Sequence, residues 1–217
     1  MPLHFYMTPG SCSTGIHILL EELELPFQVT VLNLPAGQHR EPAYLAVNPK
    51  GTIPTLVLND GQALTSFQAI AGWLARAHPR RRWLSDDPVQ VAQAQAFMDH
   101  VVGTVHGAGY TRIFTTDTYL PTGLADPDET LRNAWVAAIQ AQGRAIVAQG
   151  FDVIEAGLTE GGWAMGDTFG VADAAFFYVA FWADKLSLPL PPRCLALYRR
   201  LRERPVVVRV LAEEGYR

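Results

Sequence analysis

The sequence predicts a small α/β domain followed by an all-α domain, and three observations support this fold class. Strand-like and helix-like hydrophobic patterns alternate up to residue 77. A Pro- and Arg-rich stretch at 78–87 then interrupts the pattern. No later segment has the character of a strand. The predicted boundaries are 1–78 for the first domain, 79–87 for a linker and 88–217 for the helical domain.

The first domain is expected to follow the order β-α-β-α-β-β-α. Its second strand is rich in β-branched residues, and Asn59-Asp60-Gly61 is a hairpin turn signal between the third and fourth strands. Ser66 is expected to cap the third helix, with Phe67, Ile70 and Leu74 on one face. The expected strands cover 3–6, 27–32, 55–58 and 62–64, and the expected helices cover 14–24, 42–47 and 66–77.

Start signals place the helices of the second domain. Asp87-Pro88 predicts an N-cap followed by proline at the first helical position, in a helix that runs to about residue 105. Gly170 to Asp173 opens an apolar helix that ends near 184, and two shorter helices flank Arg204-Pro205. Another helix is predicted from the capping box Asp126-Pro127-Asp128-Glu129, followed at helical spacing by Leu131, Trp135, Ala138, Ile139 and Ile146.

Composition restricts the classes of function. The chain has 217 residues, a formal net charge of −4 and a pI of about 5.8, which argues against general nucleic-acid binding. Its two cysteines, Cys12 and Cys194, form no disulfide framework, so a reducing, cytoplasmic location is expected. The N-terminus lacks a signal-peptide pattern and no apolar run is long enough to span a bilayer, so no membrane partner is expected.

Cys12 is the most informative residue, because it lies between a predicted strand and a predicted helix. The free N–H groups at a helix N-terminus favour negative charge, so such a cysteine can have a depressed pKa and act as a thiolate. The alternative is a buried and inert cysteine, which is common for free thiols. No second cysteine follows at the redox spacing, which argues against a dithiol oxidoreductase.

Ile53-Pro54, just before the third predicted strand, is the second informative feature. Proline cannot donate an N–H to the strand ladder. One reading is a cis bond that leaves the backbone groups of Ile53 facing outward, where they could pair with an extended peptide-like ligand. The other is an ordinary trans proline at a strand start, since cis is the minority state of X–Pro bonds.

Taken together, these segments resemble the cytosolic glutathione transferases, and the cysteine motif is most similar to the bacterial beta class. The resemblance covers essentially the whole chain. It rests on the order and spacing of the α/β and all-α halves and of several motifs. These are Thr8-Pro9-Gly10-Ser11-Cys12-Ser13, Ala46-Val47-Asn48-Pro49-Lys50-Gly51 with Ile53-Pro54, Gly166-Asp167 with Val171-Ala172-Asp173-Ala174, and Tyr198 to Pro205.

The resemblance implies a thioredoxin-like first domain, a cis Pro54, and glutathione as co-substrate, lying along Ile53 with its sulfur near Cys12. Tyr6 falls near a tyrosine often found on the first strand. His106 and Asp99 fall near beta-class positions that border the thiol and the neighbouring subunit's site, so a homodimer is implied. Candidate donors to the glutathione thiolate are the Cys12 thiol, the Ser11 or Ser13 hydroxyl and the backbone N–H groups after Cys12; Cys12 can instead form a mixed disulfide.

The sequence departs from the family pattern where the charged ends of glutathione would bind. Ser66 stands at an acidic position and Phe67 at a serine position of the third helix. Ser66 can still donate to a carboxylate, and the helix N-terminus still favours an anion. Ala36 stands where the beta class can carry a lysine, and His39 or Arg40 could substitute if the loop bends.

Two further departures lie in the second domain. The segment around His106 holds one extra residue relative to the pattern. Gly170 stands where serine or threonine usually caps the helix.

The sequence therefore favours an enzyme that adds glutathione thiolate to small apolar electrophiles, or that reduces mixed disulfides through Cys12. Tyr110 and Phe114 are candidate walls of the electrophile pocket. No metal site is expected, because His100 and His106 do not share a helix face and His17 reads as a structural or surface residue. The alternative is a binding or interaction module that keeps the fold and has lost glutathione affinity, motivated by Phe67 and Ala36.

Overall fold

The computed structural model describes residues 2–121 and 129–216. The order β-α-β-α-β-β-α predicted for the first domain is confirmed. A short 3₁₀ segment, Gln38–Arg40, precedes the second helix. The strands are β1 (Leu3–Met7), β2 (Phe27–Val31), β3 (Thr55–Val57) and β4 (Ala63–Thr65), and the helices are α1 (Ser13–Glu22), α2 (Pro42–Leu45) and α3 (Phe67–Ala77).

The four strands form one mixed sheet in the order β2-β1-β3-β4. β1 pairs in parallel with β2 and antiparallel with β3, and β3 pairs antiparallel with β4. Successive side chains of a strand point to opposite faces. Phe5 and Met7 are therefore buried in the core, whereas His4 and Tyr6 lie on the opposite face.

The first helix of the second domain changes its winding midway. It begins as α4 (Pro88–Asp99), and the Asp87 carboxylate caps it by accepting the Val89 N–H over 3.0 Å. It continues as a π-helical segment from His100 to Tyr110 and ends as α5 (Thr111–Phe114). The extra residue around His106 explains this winding, because π-helical turns accommodate a residue inserted into an α-helix.

The remaining helices are α6 (Glu129–Gly157), α7 (Val171–Lys185), α8 (Pro192–Arg202) and α9 (Pro205–Glu213). α7 is the centre of the helical domain, since every residue from Val171 to Ala183 is buried. The predicted domain boundaries stay predictions; α3 ends at Ala77 and α4 begins at Pro88. No helix within 2–121 and 129–216 is long and apolar enough to span a membrane.

The predicted helix is confirmed, and its buried residues lie in its second half. Leu131 is 45% exposed, whereas the residues buried along this helix are Gly143, Val147, Gly150, Phe151 and Ile154. Helical spacing of apolar residues therefore does not by itself report burial here. The predicted capping residues 126–128 lie outside the described residues.

Gly170 stands where the resemblance leads one to expect serine or threonine, and close packing explains why this position is glycine. A Cβ on Gly170 would lie 2.7 Å from the carbonyl oxygen of Trp83 in the linker region. The buried Asp173 carboxylate still completes the cap by accepting the Gly170 N–H over 2.9 Å and the Ala164 N–H over 2.8 Å. Close approach of the linker backbone therefore selects glycine at the start of α7.

Candidate active site

Cys12 lies in the turn between β1 and α1, immediately before the first helical residue. Its side chain is 8% exposed, and Sγ donates to the Ile53 carbonyl oxygen over 3.6 Å. The Ile53–Pro54 bond is cis, as the family resemblance implied. The thiol therefore lies where the N-terminus of α1 meets the cis-proline loop.

The Cys12 thiol is neutral at physiological pH. Burial raises its pKa to about 12, and the backbone N–H groups of Cys12 and Ser13 offset this only in part. The expected depressed pKa is therefore wrong, because the loss of hydration outweighs the effect of the helix terminus. A neutral thiol retains its proton and can donate a hydrogen bond to an anion placed beside it.

Two backbone amides beside the thiol are available to a ligand. Within the described part of the chain, neither the Cys12 N–H nor the Ile53 N–H donates to an acceptor on another residue. An N–H at the edge of a sheet can pair with an extended peptide in the manner of an added strand. The Cys12 thiol and these two backbone N–H groups thus form a short row of hydrogen-bond donors along one edge of the cleft.

The serine hydroxyls of this turn form hydrogen bonds within the turn itself. Ser11 Oγ donates to the Thr8 carbonyl over 2.6 Å and lies 2.6 Å from Ser13 Oγ. Ser13 Oγ also accepts the Thr8 N–H over 3.1 Å. The Ser11 hydroxyl would have to leave the Thr8 carbonyl to donate to a thiolate, just as the Cys12 thiol would have to leave the longer contact with Ile53, so the predicted role of Ser11 stays a prediction.

Tyr6 lies on the face of the sheet opposite α1. Its ring stacks on His4, with 4.5 Å between centroids, and tilts against Tyr44 of α2 at 5.4 Å. The neighbouring residues Phe5 and Met7 face the core. Strand alternation turns the Tyr6 side chain away from Cys12. The structure therefore does not support the predicted catalytic role of Tyr6.

An aromatic cluster from the π-helical segment, α5 and α7 borders the Cys12 turn. Trp182 is central, since its ring meets four others edge-on at centroid distances of 4.9 to 5.2 Å. Its indole Nε1 donates to the Gly10 carbonyl over 2.7 Å, which ties the cluster to the turn. The members of the cluster are His106, Tyr110, Phe114, Tyr178 and Trp182.

The two residues predicted to line the electrophile pocket differ in exposure. Tyr110 is fully buried, and its hydroxyl donates to the Val179 carbonyl over 2.8 Å. Tyr110 therefore packs the core, and its predicted role as a pocket wall is wrong. Phe114 is 50% exposed, stacks on Tyr110 and stays a candidate wall.

His106 pairs with Tyr178. Nδ1 of His106 lies 3.3 Å from the Tyr178 hydroxyl. Burial lowers the pKa of His106 to about 4, and burial raises the pKa of Tyr178 well above its usual range, with a smaller contribution from Cys12. Both groups are therefore neutral near pH 7, with the hydroxyl as donor and Nδ1 as acceptor.

The N-terminus of α3 is open to solvent beside a lysine. Ser66 is exposed, has a φ of 77° and makes no side-chain cap, so the predicted capping role is wrong. Such a backbone conformation is uncommon outside glycine. Nζ of Lys50 donates to Thr65 Oγ1 over 2.9 Å, which places an ammonium group beside this helix end. Free helical amides and a nearby cation favour an anion here.

His39 lies beside the loop that carries Ile53. The carbonyl oxygen of His39 would be 3.0 Å from a Cβ on Gly51. Its Nε2 accepts from Arg40 Nε over 3.2 Å, so Nδ1 carries the ring hydrogen of the neutral form. Nδ1 is buried and has no hydrogen-bond partner among the described residues. It is thus an unused donor close to the cis-proline loop.

Phe67 lies below the cleft. It is 2% exposed, its ring lies 5.5 Å from that of Tyr178, and a Cβ on Gly15 would meet it at 2.7 Å. The side chain therefore packs between α1 and α7. The ring does not plug the cleft, and the predicted place of Phe67 among the glutathione-binding residues stays a prediction that concerns its backbone at the start of α3.

Asp99 lies apart from the Cys12 turn within this chain. It is exposed at the end of α4 and borders a groove of about 810 Å³ between α3 and α4. Leu64, Gly72, Trp73 and Met98 also line this groove.

Comparison with known proteins identifies the family. The model of the glutathione S-transferase N-terminal domain matches residues 10–77, and that of the C-terminal domain matches residues 133–203. Glutathione S-transferase GstA of Escherichia coli O157:H7 is 30% identical over 98% of this chain and 99% of that protein. The chain belongs to the glutathione S-transferase family.

Solved transferases share the whole architecture. A glutathione transferase homologue from Sulfitobacter, with bound glutathione, has a TM-score of 0.83 and 26% identity, covering 100% of this chain and 99% of that one. The glutathione S-transferase of Xylella fastidiosa has a TM-score of 0.84 and 26% identity, covering 99% and 100%. Bacterial transferases of the beta and zeta classes have the same fold.

Two residues near the candidate site were not predicted from the sequence. Lys50 lies just before the cis-proline loop, a position that could have indicated an anion contact. Tyr178 lies in an apolar helical run, where spacing indicates only core packing. Its hydroxyl is notable because it pairs with His106 next to Cys12.

We predict that Phe67→Leu lowers the free energy of unfolding by about 1 kcal/mol, because a smaller side chain fills the site between α1 and α7 less well. The KM for glutathione should change by less than about twofold, since the ring does not face the cleft. Denaturant unfolding and steady-state kinetics measure the two effects. A tenfold rise in KM would place the ring at the ligand.

We also predict that His106 makes stability depend on pH. The pKa of its imidazole is lower in the folded chain than in the unfolded chain, so its contribution is complete above pH 6.5 and is lost as the pH falls towards 4. The free energy of unfolding of the wild type should fall by up to about 3 kcal/mol more than that of His106→Gln over this range. Burial raises the pKa of Asp173 to about 7, which acts in the opposite direction in both proteins and cancels in the comparison. Equal slopes for the two proteins would contradict the prediction.

Proposed function

We propose that this chain conjugates the thiolate of glutathione to small apolar electrophiles, and that the Cys12 thiol donates a hydrogen bond to that thiolate. The contact between Cys12 Sγ and the Ile53 carbonyl at the cis-proline loop carries the proposal. It brings a neutral donor to the edge along which an extended tripeptide can pair. The cysteinyl backbone of glutathione would pair with Ile53, with Pro54 fixing the loop.

The protonation state of Cys12 supports conjugation over thiol–disulfide exchange. Exchange requires a thiolate on the attacking cysteine, and a pKa of about 12 leaves almost none at pH 7. A protonated Cys12 instead stabilises the ionised form of the neighbouring glutathione. A hydrogen bond to a charged group contributes about 1.5–3 kcal/mol.

The charged ends of glutathione have partners on either side of this edge. The α3 N-terminus, the Ser66 hydroxyl and the Lys50 ammonium suit the γ-glutamyl carboxylate. His39 is the candidate for the glycyl carboxylate, and its Nδ1–H, which is buried here, would have to turn outward to meet it. The α-amine would be met by Asp99 of a partner subunit. The alternative of a binding module still rests on Phe67 and Ala36, which offer no polar side chain to glutathione, although the buried Phe67 ring does not block the cleft.

The electrophile would bind against the aromatic cluster. Phe114 offers an exposed ring, and Trp182 links the cluster to the turn that carries Cys12. His106 is neutral, so it adds a polar contact without a net charge. An apolar, partly aromatic electrophile fits this surface best.

We infer that the chain is a homodimer in the cytoplasm. The groove between α3 and α4 has an apolar floor that includes Leu64, Trp73 and Met98, and Asp99 lies at its edge, where it could reach a partner. Two free, buried cysteines suit a reducing compartment. Light scattering should give a dimer, and Trp73→Glu should shift it towards monomer. A wild-type monomer at micromolar concentration would contradict this inference.

Conjugation kinetics test the proposed reaction. The wild type should conjugate glutathione to chlorodinitrobenzene, and Cys12→Ala should lower kcat/KM by about 10- to 100-fold, because a donor to the thiolate is lost. Cys194→Ala is the matched control: that thiol is buried elsewhere, near the Phe151 carbonyl, and its removal should leave kcat/KM within twofold. Absence of both glutathione binding and conjugation in the wild type would favour the binding-module alternative.

A further inference from the structure

A second cluster of chemically active side chains lies on the far side of α1 from the cleft. His17 and Glu21 are four residues apart on α1, so they share one helix face. Glu213, the last residue of α9, lies opposite them. One ligand atom from each of these three residues lies within 4.8 Å of the other two. An imidazole and two carboxylates from two helices thus converge on one point.

The orientation of the His17 ring is fixed by Glu214. Its Nδ1 lies 2.8 Å from Glu214 Oε1, and the other oxygen of that carboxylate accepts from the Gly10 N–H and the Thr14 hydroxyl, each over 2.7 Å. An acceptor-only carboxylate at Nδ1 keeps the hydrogen there and leaves the lone pair on Nε2. A carboxylate behind the imidazole is the usual outer partner of a metal-binding histidine.

Nε2 of His17 faces the cluster without a hydrogen bond. The residue is 6% exposed, and within 2–121 and 129–216 no aligned hydrogen bond engages this nitrogen. The nearest carboxylate oxygen, Oε2 of Glu213, lies 3.4 Å away. Two ligands about 2.1 Å from a tetrahedral ion are separated by about 3.4 Å, so this spacing suits a shared cation.

The surroundings provide space and charge for such an ion. A cavity of about 370 Å³ is lined by His17, Glu21 and Glu213, which leaves room for water ligands. Arg209 pairs with one oxygen of Glu21, at 3.0 and 3.1 Å, and leaves the other oxygen free to bind. Apart from the imidazole, the carboxylates of Glu21, Glu213 and Glu214 and the guanidinium of Arg209 give a net charge of −2. A divalent cation would neutralise this charge.

We propose that His17, Glu21 and Glu213 form a binding site for a borderline divalent cation, best matched by Zn²⁺. Three protein ligands of nitrogen and oxygen type with an open position for water suit this ion. The ion would join α1 to α9 and thereby hold the C-terminal segment against the turn that carries Cys12. The site is separate from the proposed glutathione edge and needs no glutathione.

Calorimetry on the full chain tests this site. Protein dialysed against a chelator and then freed of it should bind one equivalent of Zn²⁺ per chain when titrated with zinc chloride. Thermal unfolding should shift upwards, because binding favours the folded state. Glu213→Gln should weaken binding at least tenfold while keeping the fold, because this side chain is 46% exposed. Glu160→Gln, which removes a fully exposed carboxylate elsewhere, is the matched control and should bind as the wild type does.

Two results would overturn the proposal. One is the absence of saturable Zn²⁺ binding in the wild type, which would leave His17 in contact with Glu213 and Glu214 alone. The other is equal affinity in the wild type and Glu213→Gln, which would assign the zinc to other groups such as Cys12. A loss of Zn²⁺ affinity in both Glu213→Gln and Glu21→Gln, but not in Glu160→Gln, supports the three-residue site.

Discussion

Glu214→Ala is expected to lower the free energy of unfolding by about 3–5 kcal/mol. The Glu214 side chain is almost fully buried, and its carboxylate accepts hydrogen bonds from the Gly10 amide, the Thr14 hydroxyl and the His17 ring. Removing it leaves three buried donors without a partner, and each costs about 1–3 kcal/mol. The Gly10 amide belongs to the turn that carries Cys12, so kcat/KM for conjugation should fall as well.

Urea unfolding in the presence of a chelator measures this loss without interference from bound metal. Glu203→Ala is the matched control, because it removes an exposed carboxylate at the end of α8 and should change stability by less than about 0.5 kcal/mol. If Glu214→Ala lost under 1 kcal/mol, the C-terminal segment would not hold the turn in the way described.

Gly15→Ala is expected to destabilise the chain by about 3 kcal/mol or more, and at 37 °C it should reduce the yield of folded protein. A Cβ at this position of α1 would lie 2.4 Å from the carbonyl oxygen of Ala174 in α7 and 2.7 Å from the Phe67 ring. The ring can shift, but the backbone oxygen lies within a buried helix. The two domains would have to separate locally to admit one methyl group.

Gly72→Ala provides the comparison for that experiment. Gly72 also lies within a helix, and a Cβ there would meet nothing within 4 Å. Gly72 lines the groove proposed above as the dimer surface, so both variants are compared in the Trp73→Glu background, where replacing Gly72 should raise stability by up to about 1 kcal/mol through helix propensity alone. Thermal unfolding of both variants separates the cost of the steric contact at Gly15 from the gain in helix propensity that alanine brings. Similar stability of the two variants would show that α1 and α7 are not closely packed at Gly15.

The secondary structure of the first domain was largely predictable because its signals are local. Strand composition and the turn at Asn59-Asp60-Gly61 each act within a few residues, as does the Asp87-Pro88 cap in the second domain. Burial was less predictable along the first half of α6, where Leu131 has helical spacing to other apolar residues and is nevertheless 45% exposed. Whether an apolar face is covered depends on how far a helix extends beyond its partners, which spacing alone does not determine.

The site was predictable where backbone motifs define it. Cys12 and the cis Ile53–Pro54 bond meet as expected, because the turn after β1 and the loop before β3 lie at the same end of neighbouring strands. Side-chain direction was harder to predict. Phe67 and Tyr110 point into packing between elements, and such contacts depend on the arrangement of both domains.

Long-range contacts were beyond sequence reasoning. Glu214 contacts His17 across 197 positions of the sequence. No local sequence pattern predicts that the C-terminal segment packs against α1. The raised pKa of Cys12 has a related cause. The helix N-terminus is visible in the sequence, whereas the burial that outweighs it comes from the packed helices around the turn.

The proposed activity depends on a protonated Cys12 that donates to the thiolate of bound glutathione. Ultraviolet titration of thiolate absorbance in the complex tests this directly, since burial raises the pKa of both Cys12 and Cys194 and any thiolate near pH 7 therefore belongs to glutathione. We predict that bound glutathione ionises at least about one pH unit below free glutathione in the wild type, and that Cys12→Ala removes about 1–2 units of that shift. An unshifted titration in the wild type, or an identical shift in Cys12→Ala, would contradict this account.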